Sequence, residues 1–107
     1  MMAILELIVV NGCDASEILS PPGIGGDAVP AEIKRRIGSR VCLIGGMDQV
    51  NILTNGTSEQ IHAEVHRLFE ALGPARGYIL SASDHFFDAP VENLRAFAAA
   101  GRECVYG

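Results

Sequence analysis

Apolar residues fall into short runs along this chain, each closed by Gly, Pro, Asp or Ser, with stretches of helical spacing between them. The run AILELIVV at 3–10 puts Ile4, Leu5 and Ile8 at helical spacing, and Asn11-Gly12 supplies a C-terminal stop. Its Ile, Leu and Val content would also suit a strand; the spacing favours a helix. Cys13 to Leu19 reads as extended, with a strand at 13–18, and the loop SPPGIGGD follows. Pro21 and Pro22 remove backbone donors and argue against a helix there, while Gly23, Gly25 and Gly26 make the loop permissive. This glycine-rich run lacks both the GxGxxG spacing and the Walker lysine, so it is not a nucleotide-binding fingerprint. Asp27 is placed to cap a helix with Pro30 in its first turn, Ile33 and Ile37 on its buried edge and Gly38 at its end.

The segment VCLIGG at 41–46 then predicts a short buried strand, 41–44, entering a glycine turn. The clearest element is 58–72, where Ile61, Val65, Leu68 and Leu72 recur at i, i+4, i+7 and i+11. Thr57 and Gln60 match a capping box, Glu59 suits the positive end of the dipole, and Gly73-Pro74 stop the helix. A strand at 77–81 leads into SASDHFFD. Asp88 is positioned to cap a last helix starting near Ala89, with Val91, Leu94 and Phe97 toward the sheet and Gly101 interrupting it near its end. The order is helix, strand, helix, strand, helix, strand, helix, which right-handed crossovers build into a parallel sheet. Three strands cannot close a barrel. The expected fold is therefore α/β: three parallel strands with covering helices, a piece of a larger architecture that is either cut out of it or assembled with copies of itself. Its abrupt start in an apolar run is read as a sign of truncation.

Composition sharpens this picture in two respects. Charged residues make up only 20% of the 107 residues, which fits strands covered on both faces and further surface hidden in a homo-oligomer. An open parallel sheet leaves unpaired backbone groups at its edges, a second reason to expect association. Net charge is −5, and Lys34, Arg35 and Arg36 form the one basic cluster, so nucleic acid is not an expected partner. The first ten residues are apolar but too short to span a membrane. Three cysteines, Cys13, Cys42 and Cys104, share no metal spacing; with no recognisable signal peptide they point to reduced thiols in a cytoplasmic protein.

Candidate chemistry gathers at the ends of the strands. Asp48 and Gln49 follow 41–46 directly, where α/β enzymes keep their binding groups, and are candidate substrate-binding residues. His62 and His66 stand at i and i+4 on the polar side of 58–72. A metal pair is conceivable at that spacing, but no HExxH carboxylate lies between them, and the expectation is two solvated surface residues with no metal or other cofactor.

Three stretches, RVCLIGGMDQVNILTNGT (40–57), SEQIHAEVHRLFEALGPARGYIL (58–80) and SASDHFFDAPVENLRAF (81–97), together resemble the C-terminal portion of the uroporphyrinogen decarboxylase superfamily. CDASEILSPPGIGGD suits an earlier strand and loop of that group. The resemblance implies a (β/α)8 TIM barrel of which this chain supplies only the last three strands, a partial barrel completed by self-association. It implies either a cofactor-free porphyrinogen decarboxylase, which removes acetate carboxyls from a tetrapyrrole, or a zinc-dependent methyltransferase acting on corrinoids, methylated substrates and coenzyme M. His85 is carried over onto the histidine that follows the last barrel strand, as the catalytic candidate, with Asp84 beside it as a substrate-binding candidate. Departures are plain: the decarboxylases' Gly-His-Gly is Asp84-His85-Phe86 here, and the methyltransferases' His-x-Cys and later cysteine are missing. An acidic neighbour would raise the imidazole pKa, suiting it to pair with a substrate carboxylate or act as general acid. With most of the site absent, the expectation is a tetrapyrrole carboxy-lyase relative that is inactive alone, binding a tetrapyrrole or corrinoid. A non-catalytic oligomeric assembly or binding module is the competing class.

Overall fold

The computed structural model describes residues 2–17, 19–24, 26–74, 77–82 and 88–105. Three strands, β1 (Ala15–Ser16), β2 (Cys42–Met47) and β3 (Tyr78–Ala82), form one sheet in the order β1-β2-β3, with both pairings parallel. Ala15 pairs with Cys42, and Leu43 through Met47 pair in register with Tyr78 through Ala82. Four helices alternate with the strands: α1 (Leu5–Val10), α2 (Pro30–Ile37), α3 (Ser58–Leu72) and α4 (Val91–Glu103), each packed on the next. Among the described residues β1 and β3 pair with β2 alone, so the sheet is open. This is the α/β arrangement of a partial barrel that the βα rhythm predicts.

The core lies between sheet and helices. Ile33 and Ile37 of α2, the α3 stripe Ile61, Val65, Leu68 and Leu72, and Leu43 and Met47 of β2 are all fully buried. In contrast, Ile44 is half-buried and its register partner Ile79 is 53% exposed. Neighbours in register project to the same side of a sheet, so this second apolar face has little cover. The molecule is 18 Å through its thinnest direction, which suits one sheet with one helical layer; another layer of helices would add about 10 Å.

Local chemistry explains the elements and their departures from expectation. Thr57 Oγ1 accepts from Gln60 N while Gln60 Oε1 accepts from Thr57 N, the predicted capping box. Arg36 Nε donates to Glu6 Oε2 at 2.9 Å, tying α2 to α1 and holding the Glu6 carboxyl below its usual range. The first strand is shorter than 13–18, because only Ala15 and Ser16 pair with β2. A single 3-10 turn forms at Pro22–Ile24 despite the prolines, since Pro22 opens it and a first-turn residue needs no donor. Asp27 does not cap α2, whose N-cap is Val29; its carboxylate accepts from Met2 N instead. The last helix starts at Val91 with Pro90 at its cap and no capping side chain. Val91 is 62% exposed, and Asn93 and Ala100 occupy the buried positions of α4, with Leu94 and Phe97 packed at the margin. The one element that periodicity did not announce is a π-helix at Gln49–Thr54.

Candidate functional site at the strand ends

In a parallel α/β sheet the C-terminal ends of the strands carry the binding groups, and β2 delivers Asp48 and Gln49 there. Both are buried, each 7% exposed. Asp48 caps the π-helix: its Oδ1 accepts from Val50 N at 3.0 Å and Asn51 N at 2.8 Å. Its Oδ2 accepts from Asn51 Nδ2 at 2.9 Å, and the same amide donates to Gly23 O at 2.9 Å, drawing the loop after β1 onto the end of β2. Gly23 is required for that approach, because a Cβ there would lie 2.5 Å from Asp48 Oδ2. Gln49 differs. Its Oε1 is buried and accepts no hydrogen bond among the described residues, an uncompensated acceptor that costs about 1–3 kcal/mol unless a donor reaches it.

Asn93 completes this floor from the other side. Its side-chain amide donates to Leu53 O at 3.0 Å and Gly56 O at 3.1 Å, holding α4 against the C-terminal end of the π-helix. Sequence reading misses both Asn51 and Asn93: Asn51 is exposed, and the partners of Asn93 are main-chain carbonyls that no side-chain pattern records. Asp84 and His85 lie outside the described residues. β3 ends at Ala82, so in sequence they follow the C-terminal end of that strand.

A second cluster forms away from the strand ends. His62 and His66 of α3 have ring centroids 4.4 Å apart, their planes tilted by 36°. Both turn Nε2 to one carboxylate oxygen, Glu103 Oε1 of α4, at 2.5 Å and 3.1 Å. Hydrogen bonds from His66 and His62 hold the Glu103 carboxyl below its usual range. Cys104 Sγ lies 3.8 Å from His66 Nδ1, and burial pushes its thiol up. Alongside, Val65, Phe69, Tyr78, Leu80, Gly101 and Cys104 line a mainly apolar cavity of about 180 Å³ between α3, β3 and α4. His62 is thus exposed, as spacing suggested, while His66 is half-buried, and both have a carboxylate partner that spacing did not supply. Among the described residues, no helix is long and apolar enough to cross a membrane.

Comparison with known proteins places this geometry in context. The family described as Uroporphyrinogen decarboxylase (URO-D) matches residues 2–104. The chain is similar to the uroporphyrinogen decarboxylase of Pseudoalteromonas translucida, 31% identical over 100 residues that make up 92% of this chain and 26% of that protein. It is similar to that of Psychromonas ingrahamii, at 32% over 100 residues, 92% of this chain and 26% of that protein. It is also similar to a methylated-thiol–coenzyme M methyltransferase of Methanosarcina mazei, 31% identical over 78 residues, 72% of this chain and 20% of that protein. The chain spans about a quarter of the length of the curated decarboxylases it matches. The expectation of a likeness to the C-terminal portion of the superfamily only is corrected by this match. The match runs over nearly the whole chain, so α1 and β1 carry it together with β2, β3 and their helices.

Proposed function

This chain belongs to the uroporphyrinogen decarboxylase family, and from that premise we propose that it is a tetrapyrrole-binding section of a carboxy-lyase-type barrel, without turnover of its own. Its ligand surface is the rim formed by Asp48, Gln49, Asp84 and His85. The observation that carries this reading is the buried Gln49 Oε1, an acceptor with no donor among the described residues, at the C-terminal end of β2. Pyrrole N–H groups are donors of the kind it lacks. Asp48, spent on the π-helix cap and on Asn51, holds Gln49 in place and leaves direct ligand contact chiefly to its neighbour.

His85 is the catalytic candidate. Protonated, it pairs with a substrate carboxylate or supplies the proton taken up by the carbon from which carbon dioxide departs. Stabilising the carbanion-like transition state needs several fixed donors around it, more than one imidazole and one amide provide. Further barrel strands, from copies of this chain or from another polypeptide, are therefore part of the proposal for any active form. With its cysteines unpaired among the described residues, we assign the protein to a reducing compartment, the cytoplasm.

The methyltransferase likeness supports a second reading, a corrinoid or coenzyme M methyltransferase relative. Such relatives are zinc-dependent, and neither Cys nor His occurs among the described rim residues after β1 and β2. The decarboxylase reading is preferred. Titration of the purified chain, in its native assembly, with a porphyrinogen under anaerobic conditions tests it against a corrinoid. Binding of the porphyrinogen, weakened about tenfold in Gln49→Leu and reduced in His85→Ala, is the expected result. No porphyrinogen binding by the wild-type assembly overturns it, and selective corrinoid binding transfers the assignment to the second reading.

A further inference from the structure

We propose that His62, His66 and Glu103 form a transition-metal site clasping α3 to the C-terminal end of α4, with zinc the ion that best fits the donors. One ring nitrogen of each histidine and one Glu103 oxygen all lie within 4.8 Å of one another. Tetrahedral zinc holds N and O ligands at about 2.0–2.2 Å, which sets ligand atoms about 3.3 Å apart. The two histidine–carboxylate distances, 2.5 Å and 3.1 Å, both lie just below that separation, so a bound ion asks only for side-chain adjustments of about 1.5 Å or less.

Three features of the fold go beyond a surface ion pair. The i, i+4 spacing on α3 sets both imidazoles side by side on one helix face. Glu103 is the last residue of α4, where the helix dipole is negative and a carboxylate is unfavourable, so a compensating positive charge is wanted there. Finally, His66 has its other nitrogen, Nδ1, beside Cys104 Sγ. When Nδ1–H donates to that sulphur, the Nε2 lone pair is left facing the cluster, the outer-shell arrangement that orients metal-binding histidines. Three protein ligands leave a fourth position for water or for a donor from a second molecule.

The site is separate from the strand-end rim, so its test does not depend on the tetrapyrrole reading. The full chain is stripped with chelator and titrated with cobalt(II), then zinc, following the visible cobalt spectrum and thermal unfolding. One ion per chain, zinc displacing cobalt, and a higher unfolding temperature with zinc are expected. Glu103→Gln and His66→Ala should each weaken binding by about tenfold or more, while His85→Ala keeps it. His62 and Glu103 are each 53% exposed at the side chain, so Glu103→Gln stays informative if His66→Ala fails to fold. Absence of a stoichiometric cobalt spectrum, unchanged affinity in Glu103→Gln, or an intense sulphur-to-cobalt band showing direct thiolate ligation would each overturn the assignment.

Discussion

Single polar side chains hold the loops of this protein in place. Asn93 is buried at 5% exposure and spends its amide on carbonyls at the end of the π-helix. In Asn93→Ala those carbonyls lose their donor without gaining water, which should cost about 2 kcal/mol. Urea denaturation is expected to show a lower midpoint with an unchanged slope; an unaltered midpoint would mean that the amide is replaceable. Polar residues of this kind are poorly legible in sequence. Asn93 sits two residues past Val91, and apolar spacing points to Val91, yet the fold exposes Val91 and buries the amide. The partner atoms are main-chain carbonyls some forty residues away, which no side-chain pattern records.

Among the elements, β2 is the most constrained. Gly45 and Gly46 take φ of 116° and 98° inside the strand, values side chains rarely accept. That backbone lets Tyr78 O–H donate to Gly45 O at 2.5 Å, and it brings Leu68 of α3 close to Gly46. A Cβ on Gly46 would meet Leu68 Cδ2 at 3.0 Å in addition to the strained φ. Gly46→Ala should therefore destabilise by about 1–3 kcal/mol, read as a lower midpoint in chemical denaturation. Sequence marked this pair as a turn after the strand, whereas both glycines pair with β3, opposite Leu80 and Ser81. Helix α3 was legible almost residue for residue, because its stripe and its capping box are local. The π-helix was not, since its start depends on Asp48 turning back to cap it at the end of a buried strand.

At the scale of the molecule, the open sheet and its uncovered face are the dominant facts. Exposed Ile79 beside half-buried Ile44 leaves apolar surface on the side away from the helices, and parallel sheets are ordinarily covered on both faces. We expect the chain to associate with copies of itself through this face or the free edges of β1 and β3. Light scattering at micromolar concentration should give a mass above that of one chain, and Ile79→Lys should lower it. A cooperative, folded monomer in the wild type would contradict the expectation.

The sequence by itself determined the alternation of strands and helices, the helical face of α3 and the superfamily resemblance. Each depends on residues close together along the chain, whose spacing is visible before folding. Tertiary structure alone decided which residues meet. It carried Glu103 across 41 positions to His62 and 37 to His66, set Asn93 under the π-helix, and left Gln49 Oε1 buried without a donor among the described residues. Such meetings follow from how parallel strands align their intervening helices, and that alignment appears only when the whole sheet has formed.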